Sequence, residues 1–291
     1  MKQFYNYILI GILVGCFFTS CNENSLGSSN IKIPEVSTEA IDVWIMDSIT
    51  NPYNIRINYK WTADMSDPSR ALVPVKNELV LPFLKTVKKV WLDPYKEAST
   101  LGSGFMKQYS ARDLMLIGSG SWNSGSVTLG WASGGYKVTL FTVNQFDFEK
   151  GISYDELKKF FHTFHHEFAH ILNQRKLYSS AFKSITGGYN PDWTSYGGDD
   201  AKAREDGFIT AYGSSADTEE FVELYSIYVT DTAEEWNDKI STISNEQSKA
   251  GIERKLEEVR KYFKNDYALD LDDMRAAITT AISEVVNGNL D

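Results

Sequence analysis

Cysteine is nearly absent: the 291-residue chain has two, Cys16 and Cys21. Both lie in the N-terminal 21 residues, so the rest of the chain has no disulfide framework and rests on packing and on any metal it binds. Histidine is scarce as well. All four histidines fall within residues 162–170, which argues against Ser/His/Asp catalysis, where the partners come from separate elements. No basic run offsets the net charge of −10, so a nucleic-acid partner is not expected. The chain also lacks an internal repeat, a P-loop and a dinucleotide fingerprint.

What is present begins with a targeting segment. Lys2 supplies a positive start, and Ile8 to Phe18 form a short apolar run. The run ends in Phe18-Thr19-Ser20-Cys21, which resembles a bacterial lipobox with Cys21 as the lipidated residue. A transmembrane anchor or an ordinary secretory signal would also carry an apolar run. This one is too short to span comfortably, and a small residue before cysteine fits lipoprotein cleavage. Residues 1–21 are therefore expected to be a lipoprotein signal peptide, whose removal takes Cys16 and the single charge of Lys2. Residues 22–37 are small and polar and read as a flexible tether. Residues 38–291 are left as the folded domain, and a chain that is 42% hydrophobic and 13% aromatic can build a sizeable core there.

The densest signal is His166-Glu167-Phe168-Ala169-His170, an H-E-x-x-H motif. On a helix, residues four apart share a face, so the two imidazoles can hold one Zn²⁺, and Glu167 can reach water activated there. The flanks predict that helix. Ser153-Tyr154-Asp155-Glu156 is a capping box, and Leu157, Phe161, Phe164, Phe168 and Ile171 form an apolar stripe roughly opposite His166 and His170. His162 also stacks four before His166, but Thr163 follows it, so that pair lacks the base. His162 and His165 are expected to pack or to support the ligands.

Elsewhere the pattern predicts a helix from Ser37-Thr38-Glu39-Ala40 to about residue 49, stopped by Asn51-Pro52, then a strand over residues 53–61. Asp67-Pro68 opens a loop. Residues 75–91 have helical periodicity, with Pro82 either kinking that helix or beginning a second one. Residues 113–117 and 127–132 read as short strands around a Gly/Ser-rich loop, residues 118–125. Ser133-Gly134-Gly135 is a turn before a strand at residues 137–143. Residues 175–210 show little regular pattern, but Tyr189, Trp193 and Tyr196 predict partial order. Beyond Asp217 the chain reads as helical, with stripes at Ile252, Leu256, Val259 and Phe263 and at Met274, Ile278, Ile282 and Val285.

A catalytic zinc takes three protein ligands, and the remaining histidines share the first helix, so a carboxylate must come from elsewhere. Asp217 to Tyr225 offers a helix with Phe221, Leu224 and Tyr225 on its apolar face and with Glu219 and Glu223 together on the other. One of the two can bind the metal while the other accepts the free N–H of a ligand histidine. They could equally form a solvated face, which would leave the metal one ligand short. Glu220 is expected to point away, as a first-turn charge.

H-E-x-x-H followed by E-x-x-x-E on a second helix resembles the gluzincins. More narrowly, the stretch from His165 to Leu172, Ala211-Tyr212-Gly213, and Glu219-Glu220-Phe221-Val222-Glu223 resemble the zinc metallopeptidase lipoproteins of Bacteroidota. So do Asn51-Pro52-Tyr53-Asn54-Ile55 and the stretch from Ala203 to Phe208. The catalytic domain of anthrax lethal factor is a more distant likeness, also with Tyr-Gly seven residues before the ligand glutamate.

The resemblance implies an α+β, zincin-like fold with a mixed sheet, an active-site helix and a helical C-terminal part. It implies one Zn²⁺ per chain held by His166, His170 and Glu219, with Glu167 as general base, Tyr212 as oxyanion stabiliser and Glu223 as partner of a ligand histidine. Residues 137–143 would be an edge strand bordering the metal, to which an extended substrate pairs. The implied activity is hydrolysis of a peptide or protein substrate. The implied location is the outer membrane of a Gram-negative bacterium, at the cell surface, lipid-anchored beside a nutrient importer and its surface binding lipoprotein. Two rival readings share the motifs: a non-catalytic zinc-containing component of that uptake system, and a zinc hydrolase of a non-peptide amide.

Overall fold

A computed structural model describes residues 37–62, 72–123, 126–128, 130–133 and 136–291. The expected signal peptide with Cys21, nearly all of the expected tether and the Asp67-Pro68 loop lie outside the described residues. Residues Glu39–Asp291 form one compact unit.

Helix α1 (Ala40–Ile45) does not stop at Asn51-Pro52. It passes through a π-helical turn (Met46–Thr50) into one more turn (Asn51–Tyr53). The helix ends at Asn54 in the left-handed region, φ 57°. The following strand is shorter than expected, β1 (Arg56–Asn58). Helix α2 (Asn77–Val87) continues through Pro82, then a second π-helical turn (Lys88–Leu92) leads into α3 (Asp93–Ala98) and α4 (Ser103–Tyr109).

The sheet strands follow: β2 (Asp113–Leu116), β3 (Ser121–Asn123), β4 (Ser126–Thr128), β5 (Gly130–Ser133) and β6 (Lys137–Leu140). Strands β3, inside the expected Gly/Ser loop, and β4, just after it, pair antiparallel as a separate two-stranded sheet, so residues 127–132 are divided between two sheets and do not form one strand. The main sheet has the order β1-β2-β6-β5. It is mixed: β2 lies parallel to β1 and to β6, and β5 lies antiparallel to β6, with Gly130 opposite Leu140 and Ser133 opposite Lys137.

The edge-strand expectation is corrected here. Strand β6 is hydrogen-bonded on both sides, and among the described residues the edges are β1 and β5. The alternation Lys137, Val138, Thr139, Leu140, with only the second and fourth buried, describes which face meets the core. It says nothing about whether the second side of the strand is paired.

Helix α5 (Tyr154–Arg175) is the axis of the core. Its start is fixed by the expected capping box: Ser153 Oγ accepts from the Glu156 N–H at 3.2 Å, and the Ser153 N–H donates to Glu156 Oε2 at 3.0 Å. The apolar stripe is buried throughout, with Trp91 and Tyr95 packed edge-on against Phe168. At its end the Leu172 carbonyl accepts from the Lys176 N–H and from the Tyr267 hydroxyl at 2.7 Å, and the Lys176 carbonyl accepts from the Tyr262 hydroxyl at 2.8 Å.

The segment after α5 has more structure than its sequence suggests: α6 (Ser180–Lys183), a 3₁₀ turn (Trp193–Tyr196) and α7 (Asp200–Glu205). Tyr189, Trp193 and Tyr196 pack on Ala203, Phe208 and Ala211 as a small core of their own. A second 3₁₀ turn (Tyr212–Ser215) leads into α8 (Asp217–Thr230). Helices α9 (Ala233–Ser241), α10 (Glu246–Tyr267) and α11 (Leu271–Val286) complete the C-terminal part. Helix α8 is enclosed by α5, α6, α10 and α11, and this explains why both of its faces are buried.

Candidate metal centre

Three donor atoms converge where α5 meets α8. His166 Nε2 and His170 Nε2 lie 3.2 Å apart, and each lies 3.3 Å from Glu219 Oε2. Donors about 2.0–2.1 Å from one tetrahedral ion sit about 3.3–3.4 Å from one another, so the three atoms have the spacing of one face of a zinc site. Two imidazole nitrogens and one carboxylate also leave a fourth position open, as catalytic zinc sites do.

The convergence follows from a register between two antiparallel helices. Positions 158, 162, 166 and 170 share one face of α5. They meet carboxylates in reverse chain order: Lys158 with Asp231 at 2.7 Å, His162 and His166 with Glu223 at 3.1 and 2.8 Å, and His170 with Glu219. Glu223 is buried behind His166. Its Oε1 accepts from His166 Nδ1–H, which aims Nε2 at the donor triangle. Its Oε2 accepts from the Thr210 hydroxyl at 2.9 Å, and Thr210 Oγ1 in turn accepts from the Gly213 N–H at 2.9 Å. A Cβ on Gly213 would come within 3.2 Å of Thr210 Oγ1 and 3.5 Å of the Glu220 Cα, so glycine serves a close approach to α8 at this position.

Burial pulls the His166 pKa down, but Glu219 and Glu223 outweigh it and hold the imidazole up to about 10 in the metal-free chain. Burial likewise raises the two glutamates, and the facing imidazoles more than reverse this, leaving both well below the usual carboxylate range. Glu167 is half-buried, and its charge acts on both His166 and Tyr212. The Tyr212 ring lies 5.9 Å from the His166 ring and edge-on to Trp193 at 5.3 Å. Burial first, then the Glu219 carboxylate that its hydroxyl faces, raise the phenol's pKa, so it stays protonated and able to donate. A cleft of about 430 Å³ opens beside the cluster, lined by His162, Trp193, Tyr212 and Glu223. A larger cleft of about 790 Å³, lined by Trp44, Lys85, Lys88 and Glu284, contains no histidine.

His165 packs rather than ligates. It is fully buried, its Nδ1 lies 2.9 Å from the Tyr95 hydroxyl, and burial drives its pKa down to about 3. Tyr95 also bonds the Tyr225 hydroxyl and so joins α5 to α8. Glu220 points away from the donor atoms and lies in the first turn of α8, as expected, but it is fully buried there and paired with Lys255 of α10. Two residues around the site were not singled out in the sequence. Thr210 carries no local signal. Lys255 does, because it sits on the apolar stripe of α10 beside Leu256, where a lysine calls for a buried partner.

A mixed sheet, a helix with two histidines four apart and a glutamate from a second helix define an α+β metallopeptidase scaffold. The chain belongs to the family described as "Putative zinc-binding metallo-peptidase", which matches residues 34–272. A crystal structure from Bacteroides caccae, described as a "putative zinc-binding metallo-peptidase", is 33% identical. It has a TM-score of 0.75 and covers 90% of this chain and 99% of that one. No curated protein matches the chain.

Proposed function

We propose that the chain is a zinc-dependent peptidase of the gluzincin type, with His166, His170 and Glu219 as ligands. The observation that carries this is the donor triangle of 3.2–3.3 Å edges, with Glu223 orienting His166 from behind. When bound, zinc supplies Lewis acidity, polarising the scissile carbonyl and lowering the pKa of water towards about 7. Glu167 takes the proton of the attacking water and delivers it to the leaving amine. Tyr212 donates to the carbonyl oxygen as negative charge develops on it. An extended substrate pairs with β5, the edge strand that packs against α5. A peptide-library digest by zinc-loaded protein tests the activity, with Glu167→Gln as control. Cleavage that persists unchanged in that control would argue against this reading of the site.

Metal binding gives an expected result of its own. One zinc per chain should bind, and His166→Ala or Glu219→Ala should release most of it. His166 holds a proton in the metal-free chain up to about pH 10, so uptake at pH 7 releases a proton and the apparent affinity rises with pH. The sign is opposite for the metal-free fold. A raised imidazole pKa stabilises it below the unfolded value of about 6.5, and that contribution disappears as pH climbs through about 10. Glu223→Ala should weaken zinc by about 10–100-fold. An unchanged affinity, measured by chelator competition, would remove Glu223 from its supporting role.

The site of action is inferred from Phe18-Thr19-Ser20-Cys21, which supports a lipid anchor, and from the family resemblance. The protein is anchored through lipid on Cys21 at the outer membrane, facing the cell surface, and works beside a nutrient importer and its surface binding lipoprotein. Cys21→Ala should release it from the membrane or leave it unprocessed. Mass spectrometry of the mature N-terminus is the check, and a mature chain beginning anywhere other than lipidated Cys21 excludes the anchor.

A further inference from the structure

Next to the ligand Glu219 stands a buried charge that the reaction does not use. Glu220 and Lys255 are both fully buried and ion-paired. Desolvating two charges is costly, and such a pair is weak support for stability alone, so its hydrogen bonds show what it is for. Lys255 Nζ also donates to the Gly207 carbonyl at 2.6 Å. Gly207 has φ 91°, a conformation that favours glycine. The other oxygen of Glu220 accepts from the Tyr189 hydroxyl at 2.6 Å. One carboxylate and its lysine thus hold residues 189 and 207, the two ends of a segment that carries Trp193.

That segment packs on Tyr212. Trp193 lies edge-on to the Tyr212 ring. The Asn190 N–H donates to the Ser214 carbonyl at 2.8 Å, and the Ala211 N–H to Asp200 Oδ1 at 2.8 Å. We infer that the Lys255–Glu220 pair, with Tyr189, is a positioning device that clamps residues 189–207 and thereby sets the place of Tyr212 over the metal centre. The inference rests on the role proposed for Tyr212, but its physical content does not require turnover.

The test uses the full zinc-loaded chain. Glu220→Gln/Lys255→Met removes both charges together at nearly constant volume, whereas either change alone strands a buried charge. Hydrogen–deuterium exchange should show the amides of Asn190, Ala211, Gly213 and Ser214 exchanging about tenfold faster, with α11 unchanged. Tyr189→Phe, which removes one hydrogen bond and no charge, should loosen the same amides by a smaller factor. It decides the matter if the double variant does not fold. On a cleaved peptide, kcat should fall about tenfold with KM little changed. Wild-type exchange at these amides, or equal acceleration in α11, overturns the proposal. Local loosening in a chain that cleaves no peptide would overturn the peptidase reading and leave the clamp standing.

Discussion

Glu167→Gln is expected to abolish nearly all turnover while leaving zinc in place. Glutamine keeps the size and hydrogen-bonding reach of the side chain but cannot take a proton. Glu167 is not among the three atoms that form the donor triangle, so the variant should load metal as the wild type does. General-base catalysis contributes about 10²–10⁴-fold, and the loss should fall on kcat. The measurement pairs zinc content by elemental analysis with single-turnover rates on a peptide from the library digest. A folded, zinc-loaded variant with wild-type kcat would take the base role from Glu167. A variant that loses both zinc and activity would show instead that Glu167 helps build the site.

The sequence displays α5 almost completely, because everything that specifies it is local. The capping box sits at its first turn, the stripe repeats along its length, and the motif is one turn long. The sheet was less legible. A strand's alternation reports which face is buried, and Lys137–Leu140 reads the same whether it is the edge or lies between β2 and β5. Helix α8 was half legible. Glu219 and Glu223 share a face and meet the histidines as their spacing requires. Glu220 points away from the donors as read, but nothing local in the sequence showed that it would be buried. With neighbours on all sides of the helix, even this third charge had to be buried, and its partner lies 35 residues away on α10. The left-over signal was on that partner helix, a lysine within an apolar stripe.

Tyr212 separates an enzyme from a metal-holding binding module more sharply than the ligands do, since either could keep the zinc. A phenol in this position is 38% exposed, so it is not a core tyrosine held for packing. Its hydroxyl faces Glu219, its ring leans on Trp193, and the backbone on its C-terminal side is tied through Thr210 to Glu223. A donor that matters chiefly as charge develops on the substrate should lower kcat when removed and leave KM and zinc nearly unchanged. Tyr212→Phe should therefore reduce kcat by about 10²–10³-fold. Because burial and Glu219 keep the phenol protonated well above neutral pH, the wild-type rate should show no loss of this donor between pH 6 and pH 9. The Phe variant should be slower by the same factor across that range. A purely structural tyrosine would instead lower the melting temperature and spare the turnover of the folded fraction. Full activity of folded, zinc-loaded Tyr212→Phe would end the oxyanion role. A wild type that cleaves nothing at full zinc loading would shift the balance to the binding module, in which Tyr212 and Trp193 form one wall of a cleft for ligand.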